Sequence, residues 1–313
     1  MKNFLTYCIV FPLISIMFWN AENWFDYFDG GFSASDSEFS SRGARHWTKA
    51  RFAAKTDGIA KTVLWAGAPE VVGFAEVENS FVLRRLCESE LLRKKGYRHI
   101  HFESHDNRGI DCALLYRADS LELVGAFPIP VVRCDSISQR LDTLRTRDIL
   151  YACFRENSSG SLWHILVNHH PSKYGGAASS PGRIAAMKCL VGIADSLIAA
   201  GERNIVAMGD FNDTPLSEAF SLCEGHLVNL GAALLEESPS AGTIRYQGKW
   251  ELIDNFLVSE PVSKAYSMKI LRPAFLLERD SRYPGEKPRR TYIGPRYNAG
   301  LSDHLPILLN SSF

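Results

Sequence analysis

The sequence predicts an α/β protein of the α+β kind, with one β-sheet packed on another and helices outside. Three observations lead there. Short apolar runs rich in β-branched and aromatic residues recur along the 313 residues, with the length and content of buried strands. Only a few helical patterns are interspersed among them, which suits sheet-on-sheet packing better than a helical bundle. No internal repeat, low-complexity tract or long linker breaks the series.

The strands are expected in order at 13–19 (LISIMFW), 70–75 (EVVGFA), 112–117 (CALLYR), 149–154 (ILYACF), 162–168 (LWHILVN), 204–209 (NIVAMG), 253–259 (IDNFLVS) and 305–309 (LPILL). Helices are expected near 47–66, 79–95 and 183–200. In 79–95 apolar residues recur at helical spacing, basic residues fill the end, and Gly96 supplies a C-cap. Two segments read as irregular loops, 171–182 and 278–300.

A composition of 46% hydrophobic and 22% charged residues excludes disorder as the main theme. Lys plus Arg and Asp plus Glu balance at 35 each. No global positive field can hold a polyanion, so attraction to phosphate must be local or carried by a metal ion. Seven cysteines lack C-x-x-C spacing and sit mostly among apolar residues, as buried free thiols do. They argue against a zinc site or a disulfide framework and mildly for a reducing, cytoplasmic compartment. The N-terminus pulls the other way. Residues 1–19 carry one lysine and an apolar run, like an export signal or membrane anchor, but no small-x-small cleavage site follows. We therefore divide the chain into an apolar extension or signal-like segment, 1–12, and one domain, 13–313.

Polar clusters stand at the strand ends. Asn20, Glu76, His169 and Asp210 each follow a strand; Asp254 opens one, and Asp303 and His304 precede another. Each alone is an ordinary turn or cap. If the last two strands run antiparallel to the other four, all six clusters meet on one rim. That gathers carboxylates, an amide and imidazoles, the composition expected of a hard-cation phosphoester hydrolase.

The phrases FWNAENWFD, FAEVEN, DNRGIDCALLY, TRDILY, VNHHPS, MGDFND, IDNFLVS and SDHLPI span residues 18–307. In this order they resemble the endonuclease/exonuclease/phosphatase superfamily, the DNase-I-like fold, and are most similar to a bacterial branch labelled endonucleases by resemblance. The resemblance implies a four-layer α/β/β/α sandwich of two mixed sheets with outer helices. It implies Mg²⁺, or Mn²⁺ in its place, held by Glu76 with Asn20 and Asp303, and an assisting Glu22. Glu78 is the other candidate ligand, or a surface partner of the same strand end. Asp210 would orient or deprotonate water and Asn212 would position it. His304 would bond the scissile phosphate, held by Asp254. His169 would contact a phosphate oxygen or protonate the leaving group, with His170 pointing to the other face.

Arg108 and Arg147 are phosphate-clamp candidates, or else ion-pair partners of neighbours such as Asp111 or Asp148. Lys173 is a third substrate-binding candidate. His99 and His101 read as surface residues, and Asp213 as a loop cap or a group behind the site. The loop 278–300 interleaves Arg279, Arg282, Lys287, Arg289, Arg290 and Arg296 with Tyr283, Tyr292 and Tyr297. That pattern suits a base-stacking groove, or simply a solvated segment. Nucleic acid is the expected substrate. A small phosphoester or lipid headgroup is the alternative, a catalytically silent binding module a third, and nothing calls for an obligate protein partner.

Overall fold

A computed structural model describes residues 14–134, 140–173 and 180–311; the expected extension 1–12 and part of the loop 171–182 lie outside them. Twelve strands build two sheets. They are β1 (Ile16–Trp24), β2 (Val71–Val77), β3 (Tyr97–His101), β4 (Asp111–Arg117), β5 (Leu121–Ile129), β6 (Ile149–Glu156), β7 (Leu162–His169), β8 (Ile205–Asp210), β9 (Val228–Asn229), β10 (Asp254–Val258), β11 (Tyr266–Ile270) and β12 (Ile307–Ser311). The first sheet has the order β11-β12-β1-β2-β4-β3, the second β9-β10-β8-β7-β6-β5. Each is mixed, with one parallel pair at its centre: β1 with β2, and β7 with β8.

The apolar runs are continuous because both faces of each sheet are covered. Along β1, Ile16 and Phe18 point between the sheets, where they meet Ile165, Met208 and Phe256. Met17 and Trp19 point outward onto helices α1 (Lys49–Trp65) and α2 (Ser80–Cys87). Across the second sheet, Leu166, Ala207 and Leu257 face outward onto α3 (Ser180–Ala199). The layers are therefore helix, sheet, sheet, helix, as expected.

The differences from expectation are local. The helix expected over 79–95 stops at Cys87, and 88–96 continue as turns that return the chain to β3. Strands β5, β9 and β11 were not foreseen: β9 and β11 are short, and β5 is largely exposed, so none carries a continuous apolar run. The five cysteines whose side chains are described are free thiols. No helix among the described residues is long and apolar enough to cross a membrane.

Two glycines mark close approaches of different kinds. A Cβ on Gly209 would lie 2.3 Å from the Asn168 carbonyl oxygen, and one on Gly73 2.5 Å from the Met208 methyl. Backbone cannot yield, whereas a methionine tip can. Gly209→Ala should therefore cost about 3 kcal/mol or more and Gly73→Ala about 1 kcal/mol, at the top and at the bottom of the overpacking range. Denaturant unfolding of the two variants checks the order.

Candidate active site

The rim forms as the alternation of strand directions requires. β10 runs antiparallel to β8 and pairs Asp254 with Asp210, while β12 runs antiparallel to β1. In the parallel pair β7/β8, Asp210 stands beside His169. Ends of four strands and beginnings of two thus share one edge. The backbone there is irregular. Asn20 stands opposite Ala75 and Trp24 opposite Val77, so three residues of β1 bulge against Glu76 alone. Glu22, Asn23, Glu76 and Asn212 all have φ between 47° and 62°. Such conformations cost about 1 kcal/mol or more each in non-glycine residues and tend to collect at functional sites.

One half of the site is a buried chain of hydrogen bonds and longer charge contacts. Asp254 Oδ2 lies 2.8 Å from His304 Nδ1, and His304 Nε2 lies 3.8 Å from Asp210 Oδ2. Asp210 Oδ2 also accepts from Asn20 Nδ2 at 3.0 Å, and its Oδ1 accepts from the Asn212 amide at 2.9 Å. His169 Nε2 is 3.6 Å from the same Oδ2. Burial opposes charge on His304, but the Asp254 and Asp210 carboxylates outweigh it and hold its pKa well above the ordinary value. Burial pushes Asp210 up to about 7 against the pull of His304, with the like charge of Asp254 adding to the rise. Burial, with the Arg147 charge next, drives His169 well below its ordinary value. These shifts favour the charged form of His304 and oppose it on His169. Asp210, Asp254 and His304 bring ligand-type atoms within 4.8 Å of one another, and the Asp254–His304 contact at 2.8 Å already engages one ring nitrogen in an arrangement suited to proton handling.

The other half is acidic. Glu76 Oε2 accepts from the Asn23 amide at 2.8 Å and lies 3.3 Å from Arg108 Nη2. Arg290 Nη2 bridges Glu22 Oε1 at 2.9 Å and Asp303 Oδ2 at 3.0 Å. Thr291 donates its amide to Glu22 Oε2, and Lys55 donates its ammonium to the Glu22 carbonyl. Burial and then the Asp303 charge push Glu22 up to about 7; burial brings Lys55 down to about 8. Glu22, Glu76, Asp303 and Asn20 line one cavity of about 450 Å³ together with Asp210 and His304. An all-oxygen donor set of carboxylates and an amide gathered in one cavity fits a hard divalent cation of the Mg²⁺ kind.

Some expected residues fall elsewhere. Arg147 does not line the cavity: its guanidinium, 7% exposed, pairs with Asp106 at 3.1 Å and donates to the His170 carbonyl. It is a buried strut, corrected from a clamp candidate, with Asp106 rather than Asp111 or Asp148 as its partner. Lys173 pairs with Asp213 beside the cavity, outside its lining. Asp213 also caps the Thr214 amide and pairs with Arg183. The His170 ring stacks edge-on against Phe211, and burial lowers its pKa to about 3. Glu78 is neither ligand nor surface group: it accepts from the Asp26 amide at 2.6 Å, and burial raises it to about 8.

The segment 278–300 is folded rather than a solvated loop. It forms two short ribbons, and Tyr292 and Tyr297 pack inward against Trp47. Those two rings cannot stack bases. Arg290 enters the cavity instead, which its neighbours in sequence could not single out among six basic residues. Tyr246, 63% exposed, stands at the mouth and was missed as well. A short ribbon paired with Lys249–Glu251 carries it there.

A chain of this architecture, with carboxylates and imidazoles gathered on one sheet rim, has the form of a phosphoester hydrolase. The model of the Endonuclease/Exonuclease/phosphatase family matches residues 15–312, and the chain belongs to that family. Among solved structures it is similar to the human nocturnin catalytic domain with bound sulfate (18% identity, TM-score 0.58, covering 96% of this chain and 95% of that one). A mannosyl-6-phosphatase of Bacteroides thetaiotaomicron aligns at 15% identity and TM-score 0.60, over 96% and 100% of the two chains. D. rerio TDP2 complexed with a single-strand DNA product aligns at 14% and 0.56, over 96% and 99%. No curated protein sequence matches the chain. At these identities the structural likenesses establish the fold, and the chemistry rests on the site.

Two expectations follow. Asp254→Asn should lower the His304 pKa by about one unit or more, because it removes the carboxylate charge and keeps a polar partner; imidazole resonances followed against pH report it. Arg147→Ala should destabilise the fold by about 3–5 kcal/mol by stranding buried Asp106, whereas Arg290→Ala should cost less unfolding free energy, because Arg290 is half exposed and buried Glu22 keeps the Thr291 amide and the Lys55 charge; denaturant unfolding compares the two.

Proposed function

We propose that the protein is a Mg²⁺-dependent phosphoester hydrolase, with nucleic-acid phosphodiesters as its substrate class. The observation that carries this reading is one cavity with two functions side by side: oxygen ligands from Glu76, Asn20 and Asp303, and the buried Asp210–His304–Asp254 chain. When bound, the cation neutralises phosphate charge and polarises the P–O bond. Asp210 takes the proton of the attacking water, whose oxygen bonds to phosphorus as the P–O bond on the opposite side breaks, and the departing alkoxide takes its proton from solvent. Asn212 orients that water. The imidazolium of His304, charged through Asp254, donates Nε2–H to the phosphate. Neutral His169 serves as a hydrogen-bond donor rather than as the acid. Arg108 and Arg290 supply guanidinium to phosphate oxygens at the rim, and exposed Tyr246 offers a face on which a base can stack.

A small phosphoester is the second reading. The cavity's modest volume and the burial of Tyr292 and Tyr297 favour it over a long nucleic-acid groove. Assays on single-stranded DNA, RNA, inositol phosphates, sugar phosphates and lipid headgroups, with Mg²⁺, Mn²⁺ or chelator, separate the two. We expect cleavage of DNA or RNA that chelator abolishes; turnover confined to small esters would select the second reading. Failure to turn over any substrate, together with absent metal binding, would leave a silent binding module.

Asp210→Asn should lower kcat by about 10²–10⁴, the usual worth of a positioned base. The base must be ionised to accept a proton, and its pKa is raised to about 7. Activity should therefore be lost as pH falls through about 7, and kcat/KM against pH in the wild-type enzyme should show that acid limb.

A further inference from the structure

A second group of metal-ligand side chains lies outside the catalytic cavity. His101 ends β3, Asp111 opens β4, and Glu103 lies in the connection between them. One ligand atom from each falls within 4.8 Å of the other two. The sequence suggested a surface imidazole at 101, yet its side chain is only 2% exposed. Its Nε2 is buried, makes no hydrogen bond, and faces Asp111 Oδ2 at 3.5 Å. Asp111 is itself buried, and Ser104 donates both its amide, at 3.0 Å, and its hydroxyl to the other oxygen, Oδ1. That leaves Oδ2 turned toward the imidazole. Glu103 Oε1 stands 3.8 Å from the ring's other nitrogen on a carboxylate 73% exposed, and reaches an ion shared with Asp111 at Nε2 by a side-chain rotation.

We propose that His101, Asp111 and Glu103 form a binding site for a divalent transition-metal ion, Zn²⁺ by ligand type, that pins the β3–β4 connection. A buried polar nitrogen without a partner is costly, and a cation supplies the partner. Ligand atoms around four-coordinate zinc stand about 3.3 Å apart, given bonds near 2.0 Å and tetrahedral angles, which is close to the observed Nε2–Oδ2 separation. Mixed imidazole and carboxylate donors suit zinc better than the all-oxygen preference of Mg²⁺ or Ca²⁺. Ser104 holds Asp111 from behind, as groups outside a metal's ligands commonly do. The connection held in this way carries Asp106, partner of Arg147, and Arg108, partner of Glu76. The ion would thus act as a structural clip behind the catalytic rim.

The test is titration of chelator-treated protein with Co²⁺, followed by visible d–d absorption. It is done in a Glu76→Gln background to weaken the catalytic cavity. We expect one equivalent with the absorption of low-coordinate, imidazole-ligated cobalt, displaced by Zn²⁺ and raising the melting temperature. His101→Gln should abolish the band, and Glu103→Gln should weaken binding about ten-fold or more. Glu103 is exposed, so its variant reports even if the His101 variant fails to fold. A band that survives undiminished in Glu103→Gln, or absence of the band in the parent protein, would overturn the proposal. Neither outcome bears on hydrolysis.

Discussion

Burial of both faces of both sheets is the constraint on which the rest depends. Helices cover the outer faces, and the inner faces pack on each other through residues such as Phe18, Met208 and Phe256. An ionisable group placed mid-strand would be desolvated without partners, at a cost of several kcal/mol. The strand ends are where charge can be held. Antiparallel returns at β10 and β12 bring their beginnings to the same rim as the ends of β1, β2, β7 and β8. Chemistry is confined to one edge because the interior excludes it.

At that edge the charges are arranged to oppose one another. Asp210 and Asp254 flank His304, and their like charges are tolerable because the imidazolium lies between them. Glu22 and Asp303 are bridged by Arg290 in the same manner. The two halves touch at Asn20, whose Nδ2 donates to Asp210 while its Oδ1 accepts from the Glu22 amide. A single amide thereby ties the proton-handling chain to the acidic lobe. The bulge in β1, with Glu22 and Asn23 at positive φ and Glu76 likewise opposite them, aims these groups. The strain is sustained by Asn23 and Arg108, which hold the Glu76 carboxylate from two sides.

The basic segment before Asp303 illustrates how a pattern can mislead. Arginines interleaved with tyrosines read as a nucleic-acid groove. Two of those tyrosines instead build a small aromatic cluster with Trp47 and Phe39, against which Arg45 and Arg51 stack. The segment is anchored to α1 and delivers Arg290 and Thr291 to Glu22. An aromatic–basic alternation serves packing as readily as stacking on bases, and only the direction of each ring distinguishes them.

The sequence by itself determined the sheet sandwich and the membership of its rim. Continuous apolar runs ending in Asn20, Glu76, His169 and Asp210 report burial and exposure, which are local properties of a chain in water. It could not determine the partners of charged groups. Arg147, Arg290 and His101 look alike in sequence to other arginines and histidines. Their roles separate only when Asp106, Glu22 and Asp111 are brought beside them from elsewhere in the chain. Short strands β9 and β11, and the exposed edge strand β5, were hidden for the same reason: they are held by hydrogen bonds to neighbours in the sheet rather than by an apolar pattern of their own. Electrostatic pairing and edge pairing are decided by distance in space, and tertiary structure alone sets that distance.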